Sequence, residues 1–219
     1  MIIGVGGKMG SGKNTVCEII QGLCATNNGP AFEQKAFAGK LKETASLLTG
    51  IPVEKFEDQE FKKTSLGSEW NRLLYATLDD ENPLLSVMSV RELLQKLGTE
   101  AMRDGLHVNV WINALFADYK PTDSNWNDSL LKHKPENMLY PNWIITDMRF
   151  PNEMEAVVEK GGLTIKVTRP VEKRKTTARL HPSETALDDA KFDYEIINDG
   201  TIEDLVEKVR EILTKEAII

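Results

Sequence analysis

The segment Gly7-Lys8-Met9-Gly10-Ser11-Gly12-Lys13 constrains this chain more than any other, because it fits G-x-x-x-x-G-K between an apolar run and a helical pattern. Met1 to Gly6 is short and apolar, and from Lys13 to Thr26 the residues Val16, Ile19, Ile20 and Leu23 recur at helical spacing. Strand, glycine turn and helix therefore follow in order. In such a turn the backbone N–H groups surround phosphate oxygens and the helix start adds its positive dipole. Gly7, Gly10, Ser11, Gly12, Lys13, Asn14 and Thr15 are thus expected to hold ATP, with Lys13 reaching the β- and γ-phosphates. The plainer alternative is a glycine-rich turn that merely starts a helix. Asn14 stands where the motif usually has a magnesium-binding Ser or Thr, and the hydroxyl comes one residue later, so Thr15 is the candidate Mg²⁺ contact.

The rest of the chain repeats the same alternation. Ala31–Phe37 reads as a weaker strand and Gly39–Thr49 as a helix closed by Gly50, with Pro52 beyond. From Val53 to Pro83 the chain is polar and mixed, and only irregular helix and loop are expected. Ser89-Val90-Arg91-Glu92 has capping-box spacing and opens a helix with Leu93, Leu94, Leu97 and Ala101 on one side. A second helix is expected over Asn109–Tyr119, and Pro121–Asn142 reads as a surface excursion. Trp143–Thr146 ends in Asp147, a helix follows over Pro151–Lys160, Gly161-Gly162 stop it, and Leu163–Thr168 is again a strand. A strand at Asp193–Ile197, a turn at Asn198-Asp199-Gly200 and a terminal helix with Ile202, Leu205, Val209 and Ile212 complete the pattern. Repeated β-α units imply an α/β fold with a mainly parallel sheet covered on both faces. No Pro/Gly/Ser-rich linker divides the 219 residues, so one domain is expected.

Charge and composition remove other classes. With 27 Lys and Arg against 34 Asp and Glu, the net charge of −7 repels a phosphate backbone, and polymeric nucleic acid is an unfavourable partner. The absence of an apolar stretch near 18 residues or of a leader pattern gives the expectation of a cytoplasmic protein without a membrane span. Cys17 and Cys24 lie in one predicted helix, where packing is the ordinary use. His107, His133 and His181 lack zinc spacing, so a metal is expected only with a nucleotide.

In a parallel sheet, ligands bind beyond the carboxyl ends of the strands, where Asp147 and Arg149 fall. Arg149 could fork an acceptor phosphate; Asp147 could hold a magnesium-bound water or orient the acceptor, the plainer alternative being a local ion pair. Arg169, Lys173, Arg174, Lys175, Arg179 and His181 form a basic stretch in an acidic chain, read as a lid over about 169–190 or else as a solvated loop. Arg174 and Arg179 are the candidates for stabilising a transferring phosphoryl group, and Arg169 for contacting ATP.

Five segments in this order carry a resemblance: the phosphate loop; Ala38-Gly39-Lys40-Leu41-Lys42; Arg91-Glu92-Leu93-Leu94-Gln95-Lys96-Leu97-Gly98-Thr99-Glu100 with Trp111; Ile144-Ile145-Thr146-Asp147-Met148-Arg149-Phe150-Pro151-Asn152-Glu153; and Ile196-Ile197-Asn198-Asp199-Gly200-Thr201. Together they resemble the bacteriophage deoxynucleoside monophosphate kinases, from Ile2 to Val209. The Gly-Lys-x-Thr arrangement is similar to that of nucleoside monophosphate kinases, and the N-K-x-D sequence of GTPases is absent. The resemblance implies a P-loop kinase fold with a lid, an acceptor-binding helical region over about 53–119, ATP and Mg²⁺, and transfer of the γ-phosphoryl group to a deoxynucleoside monophosphate. It places Arg91, Gly98 and Trp111 at the acceptor, with Lys8, Lys42, Thr99, Asp147 and Arg149, and puts Asn198 and Gly200 beside the ATP base, although a plain turn explains the last two nearly as well. It implies a homodimer serving deoxynucleotide supply in the host cytoplasm. The competing readings are a dephospho-coenzyme A or phosphomevalonate kinase, against which the Arg91–Trp111 segment argues, and a module that senses ATP without turnover.

Overall fold

The computed structural model describes residues 1–74, 84–122, 139–170 and 185–219. Five strands form one parallel sheet: β1 (Ile2–Gly6), the short polar β2 (Glu33–Lys35), β5 (Trp143–Met148), β6 (Leu163–Thr168) and β7 (Tyr194–Ile197), in the order β2-β5-β1-β6-β7. Ile3 pairs with Ile144 on one side and with Leu163 on the other, so β1 is central. The chain passes from β1 to the edge strand β2, returns to place β5 between them, then crosses to β6 and β7 on the other side, and the carboxyl end of β1 is the switch point at which α/β sheets leave a crevice.

Alternation along the strands divides the core. Ile3, Val5, Ile144, Ile165 and Val167 face α1 (Lys13–Thr26) and α6 (Ile202–Lys215), meeting Val16, Ile20, Leu205 and Val209. Each such fully buried aliphatic contributes about 1.5–3 kcal/mol. Cys17 belongs to this packing, and burial pushes its thiol up to about 12, far from a nucleophile's range. On the other face Ile2, Trp143, Ile145 and Met148 pack with Phe37, Ile112, Leu115 and Val157, the last from α5 (Pro151–Glu159). Gly161 ends α5 at φ 70°, the left-handed conformation expected of a glycine stop.

The chain forms two compact units, 1–37 with 112–219, and 38–111. The sheet belongs to the first. The second contains most of α2 (Phe37–Thr49), a β3–β4 hairpin (Arg72–Leu74 with Leu84–Ser86), α3 (Val90–Gln95) and a core of Ala45, Phe56, Val90 and Leu93. The expected acceptor region, 53–119, falls mostly within this unit, its last residues lying in the first along α4 (Val110–Phe116).

Several sequence expectations are corrected here. The stretch 53–83, expected as irregular helix and loop, does carry three short 3₁₀ turns, but it also holds the strand β3, whose three residues are too brief to show a period; 75–83 lie outside the described residues. Ser89 does cap α3, its hydroxyl accepting the Glu92 N–H. The helix then passes into a π-helix over Lys96–Asp104, so the stripe is rotated: Ala101, expected on one side with Leu93, Leu94 and Leu97, is exposed while Leu93 is buried. Ile202 is also exposed, and Leu205, Val209, Ile212 and Leu213 form the buried face of α6. Most of the 121–142 excursion lies outside the described residues. No helix among the described residues is long and apolar enough to cross a membrane.

Candidate active site

The phosphate loop leaves β1 at Gly6 and enters α1 at Lys13. Gly7, Gly10 and Gly12 have φ of 147°, 78° and 101°, conformations that a side chain would strain. A Cβ at Gly7 would also run into the Val167 carbonyl oxygen, so the turn presses against β6. The loop closes on itself through Ser11 N–H to the Lys8 carbonyl, 3.2 Å. Lys13 Nζ lies over it, donating to the Gly7 and Lys8 carbonyls at 2.7 and 2.9 Å.

Two further observations suit the loop to an anion. Ser89 and Thr201 cap α3 and α6 with their side chains, whereas α1 starts at Gly12 with no side-chain cap and no acidic residue in its first turn. Its leading N–H groups carry the helix's positive end toward the loop. Ser11 is 3% exposed and among the described residues its Oγ has no hydrogen-bond partner, a buried hydroxyl that a phosphate oxygen could satisfy.

The loop forms one wall of a cleft of about 390 Å³ at the carboxyl ends of the strands. Among the described residues four cations line it: Lys8 from the loop, Arg149 from the end of β5, and Lys166 and Arg169 from β6 and just beyond. Among the described residues Asp188 and Glu195 are the acids on its wall; Lys8 Nζ pairs with Asp188 Oδ2 at 3.0 Å, and Thr168 Oγ1 donates to Glu195 Oε1 at 2.9 Å. Arg149 is set by its backbone: its N–H and that of Phe150 donate to the buried Glu153 carboxylate at 2.7 and 3.0 Å, fixing the turn from β5 into α5. Asp147 Oδ1 accepts the Phe37 N–H at 2.7 Å and so meets the positive start of α2.

The strand-end and loop residues Lys8, Arg149 and Arg169 are thus brought together. Thr15 follows in the first turn of α1. Asn198 approaches the loop from the end of β7, its Nδ2 donating to the Ser11 carbonyl at 2.9 Å, while Gly200 lies in the exposed turn before α6. Arg174 and Arg179 lie outside the described residues, and of the expected lid only 169–170 and 185–190 are described. Within the second unit, Trp111 Nε1 donates to the Gly98 carbonyl at 2.9 Å, pinning the π-helix that also carries the exposed Thr99. Gly98 is buried, and a Cβ there would press on Leu41 at 2.8 Å. Arg91 donates to Gln59 Oε1 at 3.3 Å, and Lys42 pairs with Glu57.

Sequence reasoning missed Lys166 and Asp188. Alternation along β6 would have found Lys166: Ile165 and Val167 are core, so Lys166 takes the opposite face with Thr168, and both line the cleft. Its Nζ donates to the Asp188 carbonyl at 2.9 Å and sits 5.8 Å from the Phe192 ring centroid. Asp188 gave no local signal, since its partner Lys8 is 180 residues away.

Thr15 and Asp147 offer one hydroxyl and one carboxylate as candidate Mg²⁺ contacts. Among the described residues no three His, Cys, Asp or Glu side chains are grouped as a metal cage, and Mg²⁺ ordinarily takes one or two protein oxygens beside phosphate and water.

A parallel sheet with a glycine loop at its switch point and a cationic cleft beyond defines a nucleotide-type phosphotransferase architecture. Comparison with known proteins specifies it further. A sequence model of the deoxynucleotide monophosphate kinase family matches residues 51–209, and the chain belongs to that family. It is 27% identical over 218 residues to a putative deoxynucleotide monophosphate kinase of Acanthamoeba polyphaga mimivirus, covering 95% of this chain and 94% of that one. It is 25% identical to the deoxynucleoside-5'-monophosphate kinase of Escherichia phage T5, covering 90% of this chain and 89% of that one. The deoxynucleotide monophosphate kinase of Enterobacteria phage T4 matches at 30% identity over 125 residues, 57% of this chain and 45% of that protein. The chain is therefore an enzyme of the phosphotransferase class.

Proposed function

We propose that the protein transfers the γ-phosphoryl group of Mg-ATP to the phosphate of a deoxynucleoside monophosphate, giving ADP and the diphosphate. The observation that carries this reading is the convergence of the phosphate loop, Arg149, Lys166 and Arg169 on one cleft. The attacking acceptor oxygen is already anionic, so the protein's work is positioning and charge stabilisation rather than proton removal. Loop amides and Lys13 hold the donor phosphates and bear the charge that builds on the transferring group. Arg149, with its planar fork, aligns the phosphates. Arg174 and Arg179 add charge to the transition state, and Arg169 contacts ATP. Thr15 and Asp147 would hold Mg²⁺, which when bound neutralises the β- and γ-phosphate oxygens. Arg91, Trp111, Lys42, Thr99 and Lys8 act in acceptor binding. The family assignment supports this reading over the coenzyme A and mevalonate alternatives and over a module without turnover. A homodimer in the host cytoplasm completes the proposal.

The acceptor assignment is tested at Arg91 and Trp111. A charge-assisted phosphate contact contributes about 1.5–3 kcal/mol, so Arg91→Ala raises the KM for the monophosphate by roughly ten- to a hundredfold and leaves the KM for ATP unchanged. Trp111→Ala raises the same KM less. Trp111→Phe keeps a ring but loses the N–H donated to Gly98, so it lowers stability by about 1 kcal/mol, seen as a fall in Tm, with little change in KM. An acceptor KM unchanged in both alanine variants removes these residues from the acceptor site.

A further inference from the structure

We propose that Asn198 is a positioning residue that fixes the phosphate loop from behind. The inference rests on the reading that this loop holds the donor's phosphates. A loop whose N–H groups face an anion turns carbonyls away from it, and those carbonyls need donors of their own. Ser11 is buried, and its carbonyl takes its hydrogen bond from Asn198 Nδ2 at 2.9 Å, across 187 positions of sequence. The approach is close enough that a Cβ at Gly12 would collide with that same Nδ2, so Gly12 is required both by its φ of 101° and by Asn198.

Asn198 is itself held in place. Its N–H donates to the Thr168 carbonyl at 2.7 Å, adding a rung where β7 ends beside β6. On either side, Lys208 of α6 donates to the Ile197 carbonyl at 2.6 Å and to Asp199 Oδ1 at 2.9 Å. Thr201 and Asp204 close the start of α6 as a reciprocal cap. The side chain therefore bears on the loop from a fixed platform made by β6, β7 and α6. It donates to backbone on the loop's outer side, so it shapes the amide cradle and holds no phosphate itself.

Asn198→Ala and Asn198→Asp test this. Asp keeps the size of Asn but, ionised, offers no donor and faces the Ser11 carbonyl with an oxygen. Amide hydrogen exchange of the protein without nucleotide is expected to be about tenfold faster across residues 7–13 in both variants, with α6 unchanged as the check on folding. Titration with a non-hydrolysable ATP analogue is expected to give a Kd about tenfold weaker, while the KM for the deoxynucleoside monophosphate stays within about twofold. Unchanged exchange in the loop, or an Asp variant equal to wild type in exchange and in Kd, overturns the proposal. Should wild-type protein fail to bind the analogue, the donor reading fails, and the exchange result still decides whether Asn198 holds the loop.

Discussion

Lys13→Ala is expected to lose about a thousandfold in kcat while remaining folded, the scale seen when one preorganised charge or donor is removed from a transition state. The ammonium lies above the loop, bonded to the Gly7 and Lys8 carbonyls, and takes no part in the two apolar clusters that flank the sheet. Its removal therefore leaves the core intact and takes away the one loop cation that the motif directs at the β- and γ-phosphates. Binding of ATP should weaken much less than turnover, because the loop amides remain. Single-turnover transfer and a circular-dichroism melt, measured on the same sample, separate the two. Transfer within tenfold of wild type by a folded variant would remove this loop from the donor site.

Gly7→Ala should be nearly as damaging by a different route. At φ 147° a side chain is strained, and its Cβ would run into the Val167 carbonyl oxygen, with Ser11 Oγ 2.8 Å away. Val167 lies in β6, one strand from the centre of the sheet, and is 1% exposed, so that carbonyl cannot retreat. The loop must move instead. A strained backbone position costs about 1–3 kcal/mol, which lowers the Tm by several degrees. The larger effect is on function: a displaced cradle loses the alignment of its amides, and kcat/KM should fall by at least about a hundredfold. The diagnostic reading is the thermal shift with ATP. Wild type should gain about 2.7 kcal/mol at a ligand concentration of a hundred times Kd, and Gly7→Ala should gain almost nothing. A full shift in the variant would mean that Gly7 is not part of the cradle.

The donor half of the site is legible in the sequence because its chemistry is local. Three glycines and a lysine at fixed spacing need no tertiary information, and Asp147 and Arg149 are found once a parallel sheet is assumed, since strand ends are where ligands bind. The apolar runs of β1, β5 and β6 and the stripes of α1 and α6 are equally direct. What the sequence does not carry is pairing across long separations. Asn198 reads as a turn residue until β7 is placed beside β6, against the loop that follows β1. Asp188 has the same difficulty with Lys8. The π-helix at Lys96–Asp104 is invisible for another reason: its residues suit an α-helix, and the extra residue per turn is stabilised in part by the Trp111 N–H on the Gly98 carbonyl. The resemblance places Trp111 at the acceptor, but it gives no sign that the indole N–H is committed to the chain itself.

Transfer of label from γ-labelled ATP across a panel of acceptors tests the central claim most directly. The panel holds the four deoxynucleoside monophosphates, their ribose counterparts, dephospho-coenzyme A, phosphomevalonate and a sample without acceptor. The account predicts one labelled deoxynucleoside diphosphate formed for each ADP, with at least one deoxynucleoside monophosphate used far better than dephospho-coenzyme A or phosphomevalonate, and little ADP when no acceptor is present. Label passing only to one of those two other acceptors, or ADP and free phosphate appearing equally with and without a monophosphate, would contradict it.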